Sequence, residues 1–206
     1  MISAREAFER LREGNLRFVS DLREHATLAS PARRDELMEG QEPFAIVLGC
    51  SDSRVPAEFV FDQGLGDLFV IRVAGNIVAP SQVGSVEFAA ERFGTRLVVV
   101  LGHSRCGAVE ATLEQLRRPS ESQSKNLRSI VDRIRPSVAG VLAAGIGQDA
   151  DTLVSEAVRA NIRASVDHLR HGSELLERLV DDEGLIVVGA EYSLESGLVD
   201  FFDSAV

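Results

Sequence analysis

With 206 residues, 45% of them hydrophobic, the chain can bury a full core, and its length fits one domain over residues 1–206. A formal charge of −10, from 32 acidic against 22 basic side chains, argues against a nucleic-acid surface. No apolar run reaches the roughly 18 residues of a membrane helix, and the charged start MISAREAFER is unlike a signal peptide, so a soluble cytoplasmic protein is expected.

In chain order, residues 1–40 read as a helical arm and 41–206 as an α/β core. Ser3 caps an amphipathic helix running to Val19, with Ala4, Ala7, Phe8, Leu11, Leu16 and Phe18 as its apolar positions. No strand precedes it to receive that stripe, so a second subunit is the expected partner. Ser30-Pro31 opens a short helix that ends near Gly40. Phe44–Gly49 (FAIVLG) and Leu97–Gly102 (LVVVLG) are apolar, rich in β-branched residues and too short for helices, as interior strands of a parallel sheet are. Between them come a short helix over 56–61, a turn at Gly64-Leu65-Gly66, a strand over 68–73 and a helix over 85–93. Beyond them, helices are expected over 106–116, 127–144 (kinked at Pro136), 151–169 and 173–180, with a polar loop over 117–125. A fourth strand over 185–190 and an edge strand over 198–201 complete an α/β chain with a mostly parallel central sheet flanked by helices.

Sites in open α/β sheets form beyond the carboxyl ends of neighbouring strands. The first interior strand ends there in Cys50-Ser51-Asp52-Ser53-Arg54, the second in His103-Ser104-Arg105-Cys106-Gly107. Two thiolates and an imidazole are the ligand set of a tetrahedral zinc site with one position left over. The competing reading makes Cys50 a small buried hydrophobe and His103 the cap of a strand. Cys50 and Cys106 also allow a disulfide, but free or metal-bound thiols are expected in a cytosolic α/β chain. Asp52 and Arg54, two apart, face the same way in an extended segment beside a ligand, either as part of the chemistry or as an exposed ion pair worth little. Three residues separate Cys50 from Arg54 where a thiol phosphatase needs five, and His25, His168 and His171 have no partner at ligand spacing.

Cys50-x-Asp52-x-Arg54 with His103-x-x-Cys106 resembles the signature of the β-class carbonic anhydrases. The likeness extends through GQEPFAIVLGCSDSRVPAE, FDQGLGDLFVIRVAGN and VVVLGHSRCGAV, and more loosely through LREGNLRF and GAEYSLESG. The resemblance implies zinc-dependent reversible hydration of carbon dioxide to bicarbonate and a proton, with hydroxide on the metal as nucleophile. It further implies a sheet of order 2-1-3-4 plus an edge strand, and a homo-oligomer, either a dimer or a tetramer built from dimers. On this resemblance Cys50, His103 and Cys106 hold one zinc ion, Asp52 and Arg54 form the catalytic dyad, and Gln41 reaches into a partner's substrate pocket. Phe69, Ala74 and Phe88 line that pocket, and the Gly107 amide helps to hold substrate. Asp52 is also the expected fourth zinc ligand of a closed, inactive state favoured toward low pH. A bicarbonate-regulated subgroup builds an anion pocket from a tryptophan, an arginine and a tyrosine. Arg72 and Tyr192 match, but Val47 replaces the tryptophan, so that pocket is expected to be absent or weak. The rival readings are a zinc hydrolase of carbon disulfide or carbonyl sulfide, a non-catalytic zinc-binding regulator and a redox dithiol protein.

Overall fold

Five strands form one sheet of order β2-β1-β3-β4-β5, with β1 (Ala45–Gly49), β2 (Leu68–Arg72), β3 (Leu97–His103) and β4 (Ile186–Tyr192) parallel and β5 (Val199–Phe202) antiparallel to β4. The computed structural model describes residues 2–22, 29–119, 124–145 and 149–202. Every residue of β1 and β3 is buried, as strands covered on both faces must be. Alternation sends Ile46, Leu48, Val98 and Val100 to one face and Ala45, Val47, Leu97, Val99 and Leu101 to the other.

The first face packs under α4 (Pro80–Arg92), α5 (Gly107–Arg117), α6 (Lys125–Ala144), α7 (Ala150–His171) and α8 (Glu174–Asp182). The second packs under α1 (Ala4–Val19) and the short α3 (Ala57–Val60); α2 (Pro31–Glu36) and one 3-10 turn (Leu37–Glu39) lie between α1 and β1 in the chain. α1 corrects the expectation of a partner for its stripe. Ala4, Ala7, Phe8 and Leu11 are buried in this chain's own core, in one cluster with Phe44, Val47, Phe61, Leu97 and Val188. A strand run that is apolar on both faces needs cover on both, and α1 supplies half of it. Gly14 permits the close approach, since a Cβ there would lie 1.8 Å from the Phe61 carbonyl oxygen. Asn15 then locks the helix down, donating to the carbonyls of Val60 and Gly197 and accepting from the Val199 amide. Toward the end of the stripe Leu16 is exposed and Phe18 half-buried.

α4 begins five residues before the expected Ser85. Pro80 sits in its first turn, where a missing N–H costs nothing, but Pro80–Gly84 has no apolar stripe to announce a helix. α6 starts on the Ser124 cap and runs through Pro136. The polar loop before it, expected over 117–125, is shortened by the last residue of α5 and the first of α6, and its residues 120–123 lie outside those described, as does His25.

Candidate metal and catalytic site

Register places the site. Gly49 pairs with Arg72 on one side and Leu101 on the other, so the chain leaving β1 emerges beside the last two residues of β3. Cys50 follows Gly49 directly, and His103 closes β3. A tight turn with Arg105 in the left-handed region (φ 54°) returns Cys106 to the same spot, at the N-cap of α5. One donor atom each from Cys50, His103 and Cys106 lies within 4.8 Å of the others, and all three residues are buried.

The donor chemistry suits a metal. His103 Nδ1 lies 2.9 Å from the Ser104 carbonyl oxygen, which makes Nδ1 the protonated nitrogen and leaves the Nε2 lone pair directed at the cysteines. Nε2 is buried without a hydrogen-bond partner, a costly state for an imidazole nitrogen unless an ion accepts it. The Cys106 thiol donates toward Cys50 and holds the Cys50 thiol well below its ordinary range, against burial; the same contact and burial push Cys106 up. Two adjacent sulfurs thus share one proton, which a divalent cation would displace. Burial pushes the His103 imidazole down, but the Cys50 thiolate, the Ser104 carbonyl and the Asp52 carboxylate together raise it overall. Gly75 adds a backbone N–H on Cys50 Sγ at 3.4 Å, a contact with no residue-type signature in the sequence beyond a glycine after a strand.

Asp52 and Arg54 meet on the solvent side of this group. Arg54 Nε lies 2.9 Å from Asp52 Oδ1 and Nη2 lies 2.7 Å from Oδ2, a two-pronged pair, with the Arg54 amide also on Oδ1 at 3.0 Å. The arginine holds the Asp52 carboxyl far below the usual carboxylate range. Asp52 Oδ2 lies 3.8 Å from His103 Nε2, within a short swing of the metal group. Arg72 braces the loop, donating to the carbonyls of Cys50 at 3.0 Å and Asp52 at 2.6 Å.

The remaining candidates divide. Ala74 opens the 3-10 turn Ala74–Asn76 that touches Cys50, and Gly107 is the first residue of α5, where backbone amides have no intrahelical acceptor. Gln41 lies beyond the opposite end of β1, roughly 16 Å of strand from Cys50. Gln41 and Phe93 line one surface cleft, and Phe93 packs against Phe69 and Phe88 at centroid distances of 6.0 and 5.7 Å. Phe69, Phe88 and Phe93 form a half-exposed aromatic patch by the edge strand β2. Val47 is buried beneath α1, and the Arg72 guanidinium is occupied by the two carbonyls. Bicarbonate is therefore expected to inhibit without cooperativity, and equally in Tyr192→Phe; cooperative inhibition lost in that variant would contradict this.

Comparison with known proteins agrees with this geometry. A family model described as carbonic anhydrase matches residues 45–199. The chain is 38% identical to a carbonic anhydrase of Mycolicibacterium smegmatis over 94% of its own length and 91% of the relative's, and 37% identical to carbonic anhydrase 2 of Mycobacterium tuberculosis over 93% and 89%. Among solved structures it is similar to the β-carbonic anhydrase CafA of Aspergillus fumigatus, with a TM-score of 0.76, 27% identity and coverage of 85% of this chain and 83% of that one. With this fold, this pair of motifs and these relatives, the chain belongs to the β-class carbonic anhydrase family.

Proposed function

We propose that the chain is a zinc enzyme that hydrates carbon dioxide to bicarbonate and a proton. The observation that carries this reading is the buried Cys50–His103–Cys106 group, with an orphaned Nε2, beside the Asp52–Arg54 pair in a chain of this family. Cys50, His103 and Cys106 would hold the metal, with the Asp52 carboxylate beside them. When bound, zinc supplies the Lewis acidity that makes water a nucleophile near neutral pH. Asp52, fixed by Arg54, accepts a hydrogen from the attacking oxygen and so aims its lone pair at the carbon of carbon dioxide. Arg54 holds the carboxylate in place and ionised. The Gly107 amide, in the first turn of α5, would stabilise the developing bicarbonate charge. The hydrolase, regulator and redox readings gain no support: the relatives are carbonic anhydrases, and the aspartate–arginine pair stands beside the donors.

Two thiolates offset the charge of the ion, so water should be acidified less than at a three-histidine site. Hydration is therefore expected to rise from about pH 6 to about pH 9. Asp52 is not the group responsible. Its depressed pKa keeps it charged until well below the ordinary value of about 4, so it does not titrate in this window. A flat profile would contradict the assignment.

The exposed patch of Gln41, Phe69 and Phe88 supports a homodimer or larger assembly in which these residues complete the partner's pocket. Phe88, 53% exposed in one chain, is then an interface side chain. Phe88→Asp is expected to give monomers with hydration lowered at least about tenfold, since an unpaired charge at an interface is strongly disfavoured. A fully active monomer would refute the shared pocket. Among the described residues no helix is long and apolar enough to cross a membrane.

A further inference from the structure

Asn161 and Ser165 stand one turn apart on α7, buried among Ala157, Val158, Ile162 and Val166. Their polar ends meet one short segment. Asn161 Nδ2 donates to the Gly75 carbonyl at 2.8 Å, and Ser165 Oγ donates to the Asn76 carbonyl at 3.1 Å. Replacing either by an apolar side chain would leave a buried backbone carbonyl without its donor, so each bond ties α7 to the segment it meets.

What they hold is a strained turn against the metal group. Gly75 and Asn76 occupy consecutive left-handed conformations, with φ of 70° and 43°, and such geometry persists where the surroundings fix it. No side chain at Gly75 can do the fixing, because a Cβ would lie 2.7 Å from Ile134 Cδ1 and 3.0 Å from Ala108 Cβ. A bare glycine is the most mobile residue the chain has. Its carbonyl is held by α7, and its N–H points the other way, onto Cys50 Sγ at 3.4 Å. An N–H on a ligand sulfur stabilises the thiolate and orients it.

We infer that Asn161 and Ser165 are positioning residues for the Cys50 thiolate: by gripping the Gly75-Asn76 turn from α7 they keep the Gly75 N–H on the sulfur and so set how firmly the metal is held. The inference rests on the metal reading above, and its test reads the metal rather than turnover. Zinc-loaded Asn161→Ala is expected to release zinc to an excess of chelator up to about 10-fold faster than the native protein, the lower end of what losing a ligand's direct partner costs, since Asn161 acts through Gly75. Ser165→Ala, which removes only a hydroxyl and tests the same grip should Asn161→Ala fail to fold, is expected to accelerate release several-fold. In cobalt-loaded protein both should shift the thiolate-to-metal absorption band.

Thr95→Val provides the control. Thr95 is equally buried and donates to the Pro43 carbonyl at 2.7 Å, but at the far end of the sheet, so its loss should leave zinc release and the cobalt band as in the native protein. If Asn161→Ala and Ser165→Ala release zinc no faster than Thr95→Val, or leave the cobalt band unmoved, the inference is overturned while the metal reading stands. A native protein that takes up neither ion overturns both.

Discussion

Replacing Cys106 by serine is expected to leave a folded protein without zinc and without enzymatic hydration of carbon dioxide. The fold should survive because of where Cys106 sits. It is the N-cap of α5 and makes no side-chain capping bond there, whereas serine is among the best N-cap residues. The metal should not survive. A hydroxyl is a hard, weakly acidic donor in place of a soft thiolate, and it stays protonated where the metal needs a second anionic ligand. Loss of a neighbour of a ligand costs roughly 10–100-fold in affinity, and loss of the ligand itself should exceed that. Metal analysis after dialysis decides the matter, with a far-ultraviolet spectrum to confirm the helices. Full zinc occupancy in a folded Cys106→Ser would remove this cysteine from the site.

Arg54→Ala is expected to keep its zinc and its fold yet lose hydration at every pH. Arg54 is half exposed, so its removal should disturb packing little. Its effect falls on Asp52. The guanidinium fixes both carboxylate oxygens, at 2.9 and 2.7 Å, and without it the carboxylate is free to turn toward His103 Nε2, already 3.8 Å away. There it would occupy the position that water needs, as in the closed state described above. Asp52 would also return upward toward the ordinary carboxylate range but remain charged from about pH 5, so alkaline solution should bring no rescue. Activity in Arg54→Ala that recovers above pH 8 would show that Arg54 does not restrain Asp52. The native protein with Asp52 on the metal at alkaline pH would do the same.

The sheet and the Cys50–His103–Cys106 cluster were legible in the sequence because each leaves a residue-type signature. Buried parallel strands read as β-branched runs, and Cys50, His103 and Cys106 fall where two such runs end. The stripe of α1 was legible as well, but its destination was not. FAIVLG and LVVVLG are apolar on both faces, which says that both need cover without saying which helix provides it. The start of α4 was hidden because Pro80–Gly84 holds its helical conformation without amphipathic periodicity. The grip on Gly75 was hidden more deeply. Its contact with Cys50 is a backbone N–H, and Asn161 and Ser165 lie 86 and 89 residues further along the chain from the carbonyls they bind. Gln41, Phe69 and Phe88 were singled out by resemblance, and in one chain Gln41 lies beyond the end of β1 opposite to Cys50.

The most direct test measures zinc content and stopped-flow hydration of carbon dioxide on one sample, as purified, after stripping by a chelator and after zinc is returned. About one zinc per chain is expected in the active protein, with hydration lost on stripping and recovered in proportion to zinc restored. Hydration that persists without metal, or a fully zinc-loaded protein that hydrates no carbon dioxide at any pH between 6 and 9, would contradict the account.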